Sequence, residues 1–246
     1  MLLALLVLAG LWAGLQNSLA GGGSFVTLPA LILSGMSPLA ANITSTVALF
    51  PGQLSSGWAG RRLVVGTPTL SFRALIIISL LGGAVGAWLL LNTPSSVFAR
   101  LVPWLVLFAT SVFAWGSFLR KPVAEDHHLS ARTTAVMQFC IAIYGGYFGG
   151  GIGFLMLAAL TIAGMPTRHA GATKNVLAGV MNASAVALFV TSPEVHWLQA
   201  GVLGASAIVG GLAGAWALHH VNEKALRIAI VALGVALTAG LFLRPI

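Results

Sequence analysis

The sequence predicts an all-α integral membrane protein built from two related halves. Three observations lead to this prediction: 58% of the 246 residues are hydrophobic, only 7% are charged, and one long motif occurs twice. A soluble domain carries about 25% charged residues to cover its surface in water. The long stretches rich in Leu, Ala, Val, Ile and Gly are typical of membrane helices rather than of a membrane β-barrel.

The repeated motif is GGSFVTLPALILSGMSPLAANITSTV at residues 22–47, which returns as GIGFLMLAALTIAGMPTRHAGATKNV at residues 151–176. From residue 21 to residue 47, eleven of twenty-seven positions are identical at one constant offset of 129. Chance alone gives roughly one in ten in a chain of this composition. A tandem duplication in an apolar chain is typical of transporters whose binding site lies between the two halves.

Each half contains five apolar segments separated by turn signals. The first half is predicted to have segments 2–20, 25–34, 39–57, 72–91 and 97–119. The second half is predicted to have segments 133–148, 154–163, 169–190, 197–218 and 225–243. We therefore divide the chain into a first repeat at 1–119, a polar connecting loop at 120–132 and a second repeat at 133–246.

The second segment of each half is the shortest and follows a glycine cluster. An upright helix needs about twenty residues to cross the hydrocarbon, and these segments have about half that length. Short, glycine-interrupted segments at matching places in two halves indicate half-helices at a transporter binding site. Whether the first two segments of each half cross fully or form a re-entrant hairpin is left open by the sequence.

The basic residues predict the orientation of the chain. The net charge of +8 comes from 12 Lys and Arg against 4 Asp and Glu, scattered between apolar segments rather than clustered for nucleic acid. If each half has an odd number of crossings, nine of the twelve basic residues fall on one side, as the positive-inside rule requires. The nine are Arg61, Arg62, Arg73, Arg120, Lys121, Arg132, Arg168, Lys224 and Arg227. The two halves are then inverted relative to each other.

Polar side chains at matching positions share one face of the third segment in each half. They are Asn42, Ser45, Thr46 and Gln53 in the first half, and Lys174, Asn175 and Asn182 in the second. Lys174 lies several residues inside an apolar segment, where a lysine is costly unless it meets water, carbonyl groups or an anion. It either reaches back to the interface or faces a cavity. With no acidic residue near it in sequence, a cavity-facing Lys174 favours an anionic substrate.

The glycine clusters support the same hypothesis. They comprise Gly21, Gly22 and Gly23 before the first half-helix, and Gly149, Gly150 and Gly151 before the second. A helix that starts after glycine presents free N–H groups and a positive dipole end, and a ligand can approach closely. The alternative is that these glycines only allow tight helix packing, which we prefer for the glycines of 82–86 and 210–214.

An enzymatic function has little support in the sequence. Only four acidic residues occur, none deep in an apolar segment, so no carboxylate pair for hydrolysis is indicated. The His and Cys spacings do not match a metal site. We expect no catalytic residue, no metal and no cofactor.

The two motifs also resemble a known family. AGGGSFVTLPAL at 20–31 with GMSPLAANITS at 35–45, and their counterparts GGGIGF at 149–154 and GMPTRHAGAT at 164–173, are similar to the sulfite exporter family TauE/SafE. The resemblance covers essentially the whole chain. It implies a multi-pass permease of the bacterial inner membrane for small anions such as sulfite, sulfonates or sulfoacetate.

We therefore expect a secondary transporter, an exporter, that works by alternating access on an anion held between the half-helices. Its partners are a small sulfur oxyanion or organosulfonate and the lipid bilayer, with no nucleic acid; an oligomer is compatible with the sequence. An anion channel with the same lining and a non-transporting membrane scaffold subunit are the alternatives.

Overall fold

Ten α-helices run through the computed structural model, whose described part covers residues 2–19, 22–119, 129–217 and 223–243. In chain order they are α1 (Leu2–Leu19), α2 (Ser24–Leu33), α3 (Pro38–Gly60), α4 (Phe72–Leu91), α5 (Ser95–Ala114), α6 (Ala131–Tyr147), α7 (Ile152–Ile162), α8 (Thr167–Phe189), α9 (Trp197–Ala217) and α10 (Glu223–Leu243). A 3-10 turn (Arg61–Leu63) follows α3, and a π-helical turn (Trp115–Leu119) follows α5.

The predicted all-helical fold is confirmed, because the described ranges contain helices and turns but no strand. Two helices, Phe72–Leu91 and Ser95–Phe118, are each long and apolar enough to cross a membrane. The helices lie within a few residues of the predicted segments. Serine side chains cap three of them: Ser37, Ser71 and Ser130 accept hydrogen bonds from the first turns of α3, α4 and α6.

The short helices α2 and α7 have 10 and 11 residues, as expected for half-helices. Gly22 and Gly151, at equivalent positions before them, have φ angles of +83° and +70°. Gly35 and Gly164, just after them, have φ angles of +96° and +91°. Glycine adopts this left-handed region without the steric cost that other residues meet. The repeated glycines are therefore needed by the turns that begin and end both half-helices.

The offset found in the sequence also relates the helices. When 129 is added to the residue numbers of α3, they become those of α8, and both helices have 23 residues. The other helices pair in the same way, to within a few residues: α1 with α6, α2 with α7, α4 with α9 and α5 with α10. Packing is crossed between the halves, because α1 packs on α9 while its equivalent α6 packs on α4. The domain boundaries stay predictions, and residues 120–128 of the predicted connecting loop lie outside the described residues.

Two equivalent threonines form matching bridges between the halves. Thr44 Oγ1 donates to the carbonyl oxygen of Glu194 (3.4 Å) and accepts from the N–H of His196 (3.2 Å). Thr173 Oγ1 donates to the carbonyl oxygen of Val65 (3.1 Å) and accepts from its N–H (3.2 Å). Val65 is the residue equivalent to Glu194 at the offset of 129. The bond from Thr44 of the first half to Glu194 of the second therefore has a counterpart in the bond from Thr173 of the second half to Val65 of the first. Reciprocal contacts of this kind are what a two-fold arrangement of like parts produces.

The central helices α3 and α8 run antiparallel beside each other. Asn182 Nδ2 donates to Gln53 Oε1, and these two residues are 129 positions apart, so each is the other's equivalent. Gly60, later in α3, lies against Ala172, earlier in α8. A residue that bonds to its own equivalent lies where the two halves meet, so this pair marks the centre of the molecule.

One end of the bundle collects basic side chains, and we call it the basic end. The ring nitrogen Nδ1 of His169 lies 2.8 Å from the carbonyl oxygen of Leu63, which brings the start of α8 to the end of α3. Thr69 Oγ1 donates to the carbonyl oxygen of Leu129 (3.1 Å), which brings the starts of α4 and α6 together. The exposed arginines at this end are Arg61, Arg62, Arg73, Arg132 and Arg168. The predicted basic residues Arg120 and Lys121 lie outside the described residues.

Glycines bring helices of different halves into backbone contact. A Cβ placed on Gly86 of α4 would lie 2.1 Å from the carbonyl oxygen of Ile143 in α6. One placed on Gly14 of α1 would lie 1.9 Å from the carbonyl oxygen of Ala207 in α9. The predicted packing role of the glycines at 82–86 is thereby confirmed. Small residues supply such contacts in membranes, where burial of apolar surface drives no association between helices.

We predict that Gly86→Ala destabilises the protein by about 1–3 kcal/mol, because the new methyl group forces α4 away from α6. The measurement is thermal unfolding of the purified protein in detergent. Gly240→Ala is the matched control, since no described atom lies within 4 Å of a Cβ at that helical position. Equal unfolding temperatures for the two variants would show that the close approach contributes nothing to stability.

Candidate functional site

Lys174 lies in the second turn of α8 and reaches towards α7. Its Nζ donates to Oδ1 of Asn175 (2.9 Å), and a Cβ placed on Gly153 would lie 3.6 Å from the same nitrogen. Glu194 is the one acid whose side chain the structure describes, and it lies at the other end of the bundle, beside the start of α3. Among the described residues, no carboxylate neutralises the ammonium group.

The first turn of α7 is the element that the ammonium group approaches. Gly151 begins it in the left-handed conformation, and its own methylene lies beside Ala109 in the interior of α5. Phe154 N–H bonds to the carbonyl oxygen of Gly151 (3.1 Å), but within the described residues nothing accepts from the N–H groups of Ile152 and Gly153. Free N–H groups and the helix dipole make this terminus electropositive.

The first half has the same helix start, but side chains of α1 close part of it; the N–H of Ser24, like that of Gly153, has no acceptor among the described residues. The N–H of Gly23 donates to Asn17 Oδ1 (2.7 Å), and Gln16 Nε2 donates to the carbonyl oxygen of Gly22 (2.8 Å). The residue equivalent to Asn17 is Gly146, which has no side chain to offer to α7. The two repeats therefore differ at the terminus that both were expected to present to a ligand.

The third helices differ at the matching point. Ser45, the equivalent of Lys174, is buried and shares a hydrogen bond with the hydroxyl of Thr27 in α2. A neutral, paired serine in one half thus corresponds in the other to a lysine that has no counter-ion among the described residues. The sequence predicted both positions as ligands; in the structure Ser45 bonds to Thr27 of a neighbouring helix, whereas Lys174 bonds to the adjacent Asn175.

The remaining polar residues of the predicted face are engaged with protein groups. Asn42 Nδ2 donates to the carbonyl oxygen of Tyr147 (3.1 Å), and Thr46 Oγ1 donates to the carbonyl oxygen of Asn42 (2.9 Å). Gln53 and Asn182 bond to each other, which leaves Asn182 Oδ1 buried without a partner in the described part. Asn42 and the Gln53–Asn182 pair join the halves in the state that the structure shows, whereas the hydrogen bond of Thr46 lies within α3.

The two half-helices converge on one aromatic ring. Phe25 in α2 and Phe154 in α7 are equivalent residues, and both contact Phe113 of α5 at centroid distances of 6.2 Å and 4.2 Å. The structure therefore brings the two glycine-led starts to a common region, as the sequence predicts. Phe113 fills the space between them, so the open polar position lies to one side, at Lys174. Gly21 of the predicted set lies outside the described residues.

Sequence reasoning missed several residues that hold the α7 start in place. Tyr144 OH donates to the carbonyl oxygen of Gly150 (2.8 Å), and Tyr147 supplies the carbonyl group that Asn42 binds. The chain has only 2 tyrosines and both lie just before the second glycine cluster, which is the signal that could have identified them. Gly153 and Thr27 gave no signal, because their importance depends on which helix lies beside them.

The groups that this arrangement presents are an ammonium group and backbone hydrogen-bond donors. An ammonium group and free N–H groups at a helix start are the donors that oxyanions prefer. In the described part of the chain, no group of three or more His, Cys, Asp or Glu side chains could hold a metal ion.

Proteins similar to this chain in sequence are named as membrane transporters. A family model described as "Sulfite exporter TauE/SafE" matches residues 6–241. A Haemophilus influenzae protein named "Probable membrane transporter protein" is 29% identical over 245 residues, which cover 97% of this chain and 93% of the relative. "Probable membrane transporter protein YfcA" of Escherichia coli is 28% identical over 98% of this chain and 90% of the relative.

A third relative, "Probable membrane transporter protein ORF9" of a Sinorhizobium species, is 28% identical over 99% of this chain and 94% of its own length. The matched segments thus include both glycine clusters, both half-helices and both polar helices. The chain belongs to the sulfite exporter TauE/SafE family.

Proposed function

We propose that this protein is a secondary transporter that exports small anions, such as sulfite, sulfonates or sulfoacetate, across the bacterial inner membrane by alternating access. The observation that carries the proposal is the Lys174 ammonium group beside the first turn of α7, without a carboxylate among the described residues. The names of the family and of the relatives support a transport function.

The charge at this position supports an anionic substrate. A lysine in the middle of a membrane helix costs about 2.5–3.5 kcal/mol on insertion scales. The start of α7 adds roughly half a positive charge. The ammonium group and the helix start are both positive and repel each other. An anion bound between them offsets this repulsion and the cost of placing the lysine in the membrane. Gly153 lacks a side chain there, so an oxyanion can approach the backbone N–H groups closely.

The difference between the halves supports a single substrate position near α7. In the first half, Asn17 binds the N–H of Gly23, and Thr27 binds Ser45. Gly22, Gly23 and Ser45 therefore contribute to the shape of the proposed site and not to its charge. In the second half we assign the anion to Lys174, Asn175 and the N–H groups that follow Gly149, Gly150 and Gly151.

We further propose that the halves are inverted repeats that move against each other. The antiparallel contact of α3 with α8, the crossed packing of α1 with α9 and α4 with α6, and the reciprocal threonine bridges support this arrangement. Gln53 and Asn182, at the meeting point, exchange their mutual hydrogen bond for substrate as the halves rearrange, and Asn42 and Thr46 line the same face.

The first test removes the charge and blocks the approach separately. We predict that Lys174→Met abolishes thermal stabilisation by sulfite or sulfoacetate, whereas Lys174→Arg retains most of it because the charge remains. Gly153→Ala should weaken binding about tenfold or more, since the methyl group enters the space beside the Lys174 nitrogen. Gly171→Ala is the matched control, because no described atom lies within 4 Å of its Cβ.

Thermal shift of the purified protein, with a cationic solute as a negative control, gives the binding result. Uptake of labelled sulfite into proteoliposomes then separates the mechanisms: saturable counterflow supports a transporter, and large unitary currents support a channel. Unchanged stabilisation in Lys174→Met would refute the assignment of this residue.

The second test concerns the pair at the centre. We predict that Gln53→Leu destabilises the protein by about 1–2 kcal/mol, because it leaves the amide of buried Asn182 unpaired, and that Asn182→Leu costs less, because Gln53 is only half-buried. The double variant should lose less than the sum of the two, which a double-mutant cycle on unfolding temperature measures. Transport by the double variant should fall while substrate binding at Lys174 persists. Additive losses would show that the two amides do not depend on each other.

The third test concerns orientation. We predict that the basic end faces the cytoplasm. Cysteines at Arg62 and Arg100, introduced one at a time into a Cys140→Ser background, should react differently with a membrane-impermeant thiol reagent in whole cells. A cysteine at residue 100 should react and one at residue 62 should be protected until the cells are opened. The reverse pattern would overturn the orientation.

A further inference from the structure

An open groove between α3 and α8 borders the proposed anion site at Asn175, and its described lining includes neither Lys174 nor a residue of α7. Its volume is about 660 Å³, within the usual range for ligand pockets. Its walls are mostly aliphatic and aromatic, and they include Leu54, Trp58, Val176, Val180 and Ala183. Gln53 and Asn175 border it, but their amides pair with Asn182 and Lys174. The groove therefore suits an apolar guest.

The groove opens on the outer surface of the bundle. Leu54 and Trp58 on its α3 wall are 50% and 68% exposed. Gly57 and Gly179 line its floor, and a Cβ on Gly179 would come no closer than 3.9 Å to a neighbour. In a membrane protein, an open apolar surface of this kind faces the lipid chains.

Arg61 lines the groove where it reaches the basic end of the bundle, and two contacts with Trp58 fix its side chain. The Arg61 guanidinium carbon lies 4.0 Å from the centroid of the Trp58 ring, and its Nη1 donates to the Trp58 carbonyl oxygen (2.9 Å). This uses one of the five N–H donors of the side chain and leaves others for an anion. Tryptophan and arginine together are typical of the membrane interface, where phosphate groups lie.

The surroundings of Arg61 favour a negatively charged partner. Arg62 follows it, and Arg168 lies at the start of the neighbouring helix α8; both are exposed. The one acidic side chain that the structure describes, that of Glu194, lies at the other end of the bundle. A second copy of the protein would bring the same arginines to the contact and would be repelled. An anionic lipid is attracted, since juxtamembrane Lys and Arg bind such headgroups.

We propose that the groove binds an anionic phospholipid, with one acyl chain between α3 and α8 and the phosphate on Arg61. The groove shares Gln53 and Asn175 with the proposed transport site, but the lipid contacts that we assign, to Arg61 and the apolar walls, do not depend on which substrate the protein carries. Because both walls belong to the helices that meet at Gln53 and Asn182, a bound lipid would stabilise the contact of the two halves.

The test compares lipids of equal chain length on the delipidated, detergent-purified protein. We expect phosphatidylglycerol to raise the unfolding temperature, and to be retained in native mass spectra, at lower concentration than phosphatidylcholine. Arg61→Gln should raise the half-saturating concentration of phosphatidylglycerol about fivefold. Arg73→Gln, which removes the same charge from the same end outside the groove, should leave it unchanged.

A second variant tests the acyl chain. Gly179→Leu fills the groove and should lower the number of retained lipids even with Arg61 present, and Gly240→Leu is the control on an open helix face. Equal responses to the two lipids, or equal effects of Arg61→Gln and Arg73→Gln, would overturn the proposal. If Gly179→Leu dissociates a dimer, the groove is an interface between two copies and the proposal is wrong. If Gly179→Leu loses sulfite binding and keeps lipid binding, the groove belongs to the substrate and the proposal is also wrong.

Discussion

The start of a helix inside a membrane leaves backbone N–H groups that have no water to bind, and the structure is arranged around two such starts. In the first half, Asn17 of α1 caps the N–H of Gly23. In the second half, the corresponding position is glycine, no described residue accepts from the N–H groups of Ile152 and Gly153, and the Lys174 ammonium group lies near them. The anion that we propose at α7 supplies the partner that this helix start lacks among the described residues.

The contacts between the halves combine aromatic packing with close backbone contacts and hydrogen bonds. Buried Phe113 packs on Phe154 of the other half. Glycines at the crossings of α1 with α9 and of α4 with α6 let backbones touch, and threonines bridge each half to a connecting segment of the other. Close van der Waals packing and hydrogen bonds are the forces available between helices in lipid.

Duplication followed by divergence at a few positions explains how one fold gained a polar centre with a single charged side. Ser45 and Lys174 occupy equivalent places, yet the serine pairs with Thr27 while the lysine meets the start of α7. Gln53 and Asn182 remained alike enough to bind each other. The groove beside this pair is lined by the same two helices, so the lipid that we propose there would act on the contact between the halves.

Composition and the repeat alone determined the membrane class, the ten helices, the half-helices and the equivalence of residues 129 apart, because these depend on local hydropathy and on glycine. Polarity in an apolar segment was sufficient to select Lys174 and Gln53. The tertiary structure decided which of these residues face each other: that Phe113 separates the half-helices, that Asn17 closes one of them, and that Gly153 lies beside Lys174. Those outcomes depend on how helices distant in the chain pack together, and no local sequence pattern carries that information.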